Sequence, residues 1–265
     1  MLLIFLDFDG TIANSERKFY LILRKFIEEQ IANTIIDIKK FTPEFYFKNC
    51  AGKKYYEDFK ILGNAGIIDY SKISEDILNN FLIFFTEELN NIREGEITFT
   101  KDMDKLLLKL DKEKNIKMVI DTNSRKLDLL LKCKLLKNDI INEIINNNNT
   151  YSAHELNTDF KYLNLEKYKS NGKPNPAVFI YAVEDLLKQK IEISNIIIVE
   201  DSASAVKGGR NFAESNYAKN KFNNIKIVGY TAGEHKPDGN ILLENGADII
   251  INNADELYNY IKEYI

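Results

Sequence analysis

At 265 residues the chain exceeds a minimal domain, which suits one large α/β domain with an insertion, or two domains. Its formal net charge of -4 gives no broad basic excess for neutralising nucleic-acid phosphates, and a hydrophobic fraction of 45% suits a globular chain with a sizeable core. Cys50 and Cys133 make no metal-ligand spacing, the amino terminus lacks a basic n-region, and no apolar run approaches the ~18 residues of a membrane span. Neither a zinc site, a disulfide framework, a signal peptide nor a membrane partner is expected, and a reducing, cytoplasmic setting fits best.

Leu2 to Leu6 is a continuous apolar run, the pattern of a strand buried on both faces. Asp7 arrives where that strand should end, followed by Asp9, Gly10 and Thr11. Two carboxylates two positions apart, a glycine and a hydroxyl suit a site for a cation and a phosphate; alone, they also suit an ordinary Asx-Gly turn. A helix follows, with Ser15 as a cap and Phe19, Ile22, Leu23, Phe26 and Ile27 at helical spacing. Helical signals continue to about Asn91: Thr42-Pro43 reads as an N-cap with proline at N1, and a last helix carries Ile77, Phe81, Phe84, Phe85 and Leu89. With no convincing strand, residues 14–95 read as a helical module inserted into a core made of 1–13 and 96–265.

From about Glu96 helix and strand alternate. Met103, Leu106, Leu107 and Leu110 mark a helix, Lys117 to Ile120 a strand ending in Asp121-Thr122-Asn123-Ser124, and Leu127, Leu130, Leu131 and Leu135 the next helix. Glu143 to Ile145 reads as a short third strand before a low-complexity Asn146 to Asn149 loop. Residues 150 to about 170 carry no clear pattern. Pro176 opens a further helix, Ile196 to Val199 is a strand ending in Glu200-Asp201-Ser202, and Lys226 to Val228 and Asp248 to Ile251 are strands before a terminal helix. This alternation predicts a doubly wound parallel α/β sheet with helices on both faces.

Ligands of open parallel sheets bind beyond the carboxyl ends of the strands, so Asp7/Asp9, Thr122/Asn123 and Glu200/Asp201 should face one crevice. Four carboxylates there would raise one another's pKa values unless a cation neutralised them, which points to a hard, oxygen-loving ion such as Mg²⁺.

Asp7-Phe-Asp9-Gly10-Thr11, Thr122-Asn123, Lys173-Pro174-Asn175-Pro176 and Glu200-Asp201-Ser202 together resemble, in order, the four motifs of the haloacid dehalogenase superfamily, most of whose members are phosphatases. The resemblance runs from Leu2 to about Ile251. The helical module looks like the α-helical cap of the phosphoglycolate phosphatase and β-phosphoglucomutase group. By this resemblance Asp7 is the nucleophile that forms an aspartyl-phosphate, and Asp9 the acid and then base. Thr122 and the Asn123 backbone bind phosphoryl oxygens, Lys173 balances charge, and Mg²⁺ is held by Asp7, the Asp9 carbonyl, Asp201 and, directly or through water, Glu200. Ser124 is an alternative to Thr122 as phosphate ligand, Lys173 alternatively a solvated loop lysine, and Glu200 alternatively an outer hydrogen-bonding group. Asn49 to Lys54 resembles a substrate-contacting loop, in which Lys53 or Lys54 meets an anionic substrate or simply solvent. His154 and His235 match no motif and read as non-catalytic surface or loop residues.

The expected activity is Mg²⁺-dependent hydrolysis of a small phosphomonoester, a small phosphorylated metabolite being the partner. A phosphomutase using the same groups is the alternative, and a non-enzymatic phosphoaspartate switch a more distant one. Dehalogenation is disfavoured by Asp9 and Glu200/Asp201, which build a metal site that halide displacement does not require, and phosphonate hydrolysis by Asp9. The segments 146–172 and 207–226 are longer than in simple family members.

Overall fold

The computed structural model describes residues 1–154, 156, 172–234 and 238–265. Its chain runs through β1 (Leu2–Asp7), β2 (Ala13–Asn14), α1 (Glu16–Gln30), α2 (Pro43–Asn49), α3 (Tyr55–Asn64), α4 (Glu75–Asn90), β3 (Thr98–Phe99), α5 (Met103–Asp111) and β4 (Ile116–Thr122). It continues through α6 (Lys126–Leu136), α7 (Asp139–Asn146), β5 (Thr150–Ser152), α8 (Ala177–Lys188), β6 (Asn195–Glu200), α9 (Ala203–Ala213), α10 (Asn216–Lys219), β7 (Asn224–Tyr230), α11 (Gly239–Glu244), β8 (Ile249–Ile251) and α12 (Ala254–Lys262).

Among the described residues the main sheet has six strands in the order β5-β4-β1-β6-β7-β8, every adjacent pair parallel. β1 therefore lies between the strands that end in the two later polar clusters. Successive side chains on a strand point to opposite faces, which sorts the core into two layers. Leu2, Ile4 and Leu6 of β1 pack with Met103, Leu106 and Leu110 of α5 and with Leu257 and Ile261 of α12. Leu3 and Phe5 pack on the other face with Val178, Phe179 and Val183 of α8 and Phe212 of α9. The Phe5 and Phe179 rings meet edge to face at 5.2 Å, which seats the start of α8 against the end of β1.

Helices α1 to α4 build a separate apolar core around Leu23, Phe26, Phe59, Leu62 and Phe81. Phe26 is its hub, with the rings of Phe81, Phe84 and Phe59 at 5.1, 5.4 and 6.2 Å. Thr42 caps α2 by accepting the Phe45 N–H, with Pro43 as the first helical residue. A two-stranded antiparallel ribbon, β2 with β3, lies where the chain enters and leaves this helical unit.

One expectation is corrected. Glu143 to Ile145 is helical, part of α7: the Asn138 side chain caps that helix and Ile140, Ile141 and Ile144 form its buried stripe. The strand in question is β5, immediately after the asparagine run, and Asn149 is itself buried while its carbonyl accepts the Ile120 N–H. The helix expected from Leu127, Leu130, Leu131 and Leu135 is α6; its buried residues are Asp128, Leu129, Lys132 and Cys133, and Leu127 is 54% exposed. Part of the segment 146–172, and His235, lie outside the described residues; 207–226 contains the end of α9, α10 and the start of β7. Cys50 and Cys133 are buried free thiols. Among the described residues no helix is long and apolar enough to cross a membrane.

Candidate active site

Register brings the strand-end carboxylates together. Asp7 pairs with Asp121 across β1 and β4, and Leu6 with Val199 across β1 and β6, so Glu200 lies one step beyond. Leu3 and Phe5, Val119, and Ile196 and Ile198 all belong to the layer covered by α8. By two-residue alternation Asp7, Asp121 and Glu200 continue those apolar columns at their carboxyl ends. One oxygen from each lies within 4.8 Å of the others.

Lys173, in the loop before α8, enters this cluster. Its Nζ is 2.7 Å from Asp7 Oδ1, 2.8 Å from Asp121 Oδ2 and 2.8 Å from Glu200 Oε1. The last two are ion-pair contacts without hydrogen-bond geometry, so all four oxygens of Asp121 and Glu200 remain buried with no donor properly aligned on them. Burial opposes the charge of Lys173, but Asp121, Asp7 and Glu200 outweigh it and hold the ammonium well above its usual range. Burial is also the main influence on Asp7, which is raised to about 7 although Lys173 pulls it back. Glu200 and Asp201 are driven well above the carboxylate range by burial first, Lys173 opposing in Glu200 and Asp7 adding to the rise in Asp201.

Asp9 faces a different set of donors. The Ser15 hydroxyl donates to Oδ1, the Ser124 hydroxyl to Oδ2 at 2.8 Å, and Lys132 Nζ lies 2.7 and 2.6 Å from the two oxygens. Ser15 is therefore not a side-chain cap of α1, as expected from its position; its hydroxyl is taken by Asp9. Gly10 has φ +87° and an added Cβ would fall 1.8 Å from Asp201 Oδ2, so the carboxylate of Asp201 rests directly on the turn after Asp9.

Asp7, Asp9, Lys53, Thr122, Asn123, Lys173 and Asp201 line one cavity of about 100 Å³. Glu200, fully buried, sits behind the wall and contributes through Lys173. Thr122 Oγ1 accepts the Ser124 N–H at 3.0 Å. The Asn123 side chain ties two loops together, accepting the Lys173 N–H at 3.0 Å and donating to the Gly52 carbonyl at 3.3 Å. The opposite wall comes from the helical unit. Gly52, with φ +73°, brings the loop of Lys53 and Lys54 against Ser202, where a Cβ would be 2.8 Å from the serine side chain. Glu16, raised to about 7 by burial and then by Asp9, accepts the Tyr46 hydroxyl and the Gly52 N–H, and Asp58 beside it is likewise raised by burial. Phe19, Leu23, Phe81 and Phe85 make the apolar part of this wall.

Several of these groups were not singled out from the sequence. Asp121 was legible in principle, since it follows Val119 at the alternation that places Asp7 after Phe5. Lys132 was hidden by a helix with leucine on nearly every side. Arg125 and Asp128 pair at 2.7 Å, and Arg125 also donates to Leu82 O and Thr86 Oγ1 of α4, joining α6 to the helical unit. His154 is an exposed turn residue, in line with the surface or loop position expected, and it also lines the cavity, its ring stacked at 6.4 Å from that of Tyr55, where partial burial followed by Lys54 lowers its pKa.

The profile of the haloacid dehalogenase-like hydrolases matches residues 1–213. The chain belongs to this family. No curated protein matches it. Among solved structures, CbbY from Rhodobacter sphaeroides in complex with phosphate aligns over 97% of this chain and 95% of its own, at 15% identity and a TM-score of 0.65. A putative phosphoglycolate phosphatase from Lactobacillus plantarum aligns over 97% of both chains at 15% identity and a TM-score of 0.63. A haloacid dehalogenase family hydrolase from Deinococcus radiodurans with bound phosphate and sodium covers 99% of this chain and 95% of its own, at 17% identity and a TM-score of 0.60. At these identities the likeness is one of fold. Within the hydrolase family, the strand-end aspartates, the buried lysine and the cavity they share are the features that bear on chemistry.

Proposed function

We propose that this haloacid dehalogenase-like hydrolase is a Mg²⁺-dependent phosphatase acting on a small phosphomonoester through a phosphoaspartate at Asp7, with residues 14–95 serving as its cap. The observation that carries this reading is the convergence of Asp7, Asp9, Thr122, Asn123, Lys173 and Asp201, from four separate segments, on one cavity small enough for a metabolite. In the first half-reaction a bond forms between an Asp7 oxygen and phosphorus while the bond to the leaving oxygen breaks. That oxygen keeps the bonding electrons and takes a proton from Asp9. In the second, water adds to phosphorus, Asp9 accepts its proton, and the Asp7–phosphorus bond breaks to release phosphate and regenerate the carboxylate. Thr122 and the Asn123 backbone N–H bind the phosphoryl oxygens, and the Lys173 ammonium offsets their charge.

The donor set fits a hard divalent cation. Among the described residues the buried carboxylates of Asp7, Asp121 and Glu200 share one ammonium, that of Lys173, Asp201 is a further buried carboxylate beside them, and the oxygens of Asp121 and Glu200 lack aligned donors. Asp7, Asp201 and the Asp9 carbonyl would hold the ion, with Glu200 and Asp121 behind them. When bound, Mg²⁺ supplies the positive charge that lets one anion approach another. The helical unit closes the cavity and excludes water, and its Lys53 meets an anionic substrate.

Purified protein with Mg²⁺ should release inorganic phosphate from members of a phosphomonoester panel that includes p-nitrophenyl phosphate, and Asp7→Asn should abolish the release. Failure on the whole panel, or full activity of Asp7→Asn, refutes the reading. Product analysis by phosphorus NMR separates it from phosphoryl transfer to a second hydroxyl of the substrate, the phosphomutase outcome.

A further inference from the structure

Asp7 and Asp9 are two positions apart, yet each has a buried ammonium of its own. Lys173 serves Asp7 within a cluster of three carboxylates. Lys132, on α6, is 0% exposed and meets one carboxylate, that of Asp9, through both oxygens. Its Nζ also lies 3.0 Å from Ser124 Oγ, and otherwise over the rings of Phe19 and Phe8 at 4.7 and 5.3 Å. A lysine wholly removed from water costs several kcal/mol, and a buried ion pair often adds no net stability over apolar residues of the same size. Packing alone would favour an apolar side chain here, next to Leu129 and Cys133. What the lysine supplies instead is geometric. Ser15 holds Oδ1, Ser124 holds Oδ2 and Lys132 spans both, so any rotation of the Asp9 carboxylate breaks several charge-assisted bonds together.

We propose that Lys132 is a positioning residue for Asp9, fixing its carboxylate, with Ser15 and Ser124, in the one orientation from which it serves the leaving oxygen and the attacking water, apart from the Lys173 cluster. Lys132 makes and breaks no bond in either half-reaction. The role assigned to Asp9 rests on the phosphatase reading; the contact between Lys132 and Asp9 does not. Holding an acid/base group within about 0.5 Å of its working position is the usual function of such supporting contacts.

The test compares the full-length wild type, Lys132→Met, Lys132→Arg, Asp9→Asn and the double variant Asp9→Asn/Lys132→Met, with Mg²⁺, on two substrates. p-Nitrophenyl phosphate loses a stabilised phenolate that needs little protonation, whereas glycerol phosphate loses an alkoxide that depends on it. kcat/KM reports the steps up to departure of the leaving group. General acid catalysis contributes ~10²- to 10⁴-fold. Lys132→Met should lose about 100-fold on glycerol phosphate but under about 10-fold on p-nitrophenyl phosphate, and Lys132→Arg should recover part of the loss. Asp9→Asn and the double variant should agree within about twofold, because with Asp9 gone Lys132 has nothing to position. Equal losses on both substrates, or a further loss when Lys132→Met is added to Asp9→Asn, overturn the proposal. The double variant removes both charges at once, so it remains informative even where Lys132→Met leaves Asp9 unpaired and fails to fold. A wild type inactive on every ester refutes the phosphatase reading alone. Crystal structures of Lys132→Met or Lys132→Gln then decide the positioning role, with Asp9 expected to leave its bonds to Ser15 and Ser124. An unmoved Asp9 overturns the proposal whatever the activity.

Discussion

Replacing Lys173 by methionine tests the buried acid cluster through stability, independently of any substrate. The methionine fills a similar volume but removes the ammonium that lies within 2.8 Å of oxygens from Asp7, Asp121 and Glu200. Breaking one buried ion pair costs ~3–5 kcal/mol. Three carboxylates share this cation, but they limit the damage by retaining protons, so the total should stay within about that range at alkaline pH. At ~2–4 °C per kcal/mol this amounts to a fall in Tm of about 6–20 °C. The pH dependence has a definite sign. Asp7, already raised to about 7, and Glu200, raised well above its usual value, rise further without Lys173. The folded variant then holds protons that the unfolded chain has released, and stability falls as pH rises from the ordinary carboxylate range through about 7 and beyond. Denaturant unfolding of wild type and variant at pH 5.5 and pH 8, without added metal, should show the larger deficit at pH 8. A deficit below about 1 kcal/mol at pH 8, or equal deficits at the two pH values, refutes the electrostatic reasoning.

Other predictions concern the turn, the opposite wall, the helical core and the cation. Gly10→Ala combines a positive φ with a Cβ that collides with Asp201, and should lower stability by at least ~1–2 kcal/mol while weakening Mg²⁺ binding; isothermal titration with unchanged affinity would contradict the close contact. Glu16, raised from 4.5 to about 7, binds a proton in the folded state that the unfolded chain has lost across that window, so it contributes a fall in stability of up to ~3 kcal/mol as pH rises through it. Glu16→Gln should flatten the profile of Tm against pH there, and identical slopes in both proteins would show that Glu16 does not carry it. Phe26→Ala should cost ~3–5 kcal/mol in chemical denaturation because Phe26 is buried against Phe59, Phe81 and Phe84. Mg²⁺ at a hundredfold excess over its Kd should stabilise the wild type by ~2.7 kcal/mol in thermal melts and Asp201→Asn by clearly less; equal shifts would remove Asp201 from the ion's ligands.

Local order in the chain was sufficient for much of the architecture. The apolar runs Leu2 to Leu6, Met118 to Ile120 and Ile196 to Val199 are buried, as an enclosed parallel sheet requires, and the polar residues that follow them mark the crevice. Asp7, Asp9, Thr122, Asn123 and Asp201 stand out because their types break an apolar pattern at a strand end, whereas Lys173 is marked only by the resemblance of its proline-bounded loop to a motif of the family. Where periodicity was ambiguous the reading failed. Isoleucines in Asp139–Asn146 suit a strand as readily as a helix, and the Asn138 cap together with packing against α5 and β4 selects the helix. The leucines of α6 surround the helix, so only its tertiary packing, against α4 and α7 as well as the strands, selects Asp128, Leu129, Lys132 and Cys133 as the buried side. Composition, the parallel sheet and the positions of the strand-end carboxylates were thus determined by the sequence itself, through burial patterns that act over a few residues. Which cation meets which aspartate was decided only in three dimensions. Lys132 reaches Asp9 across 123 positions and Lys173 reaches Asp7 across 166, because strand register and helix packing bring those side chains together, and no local periodicity encodes such a meeting.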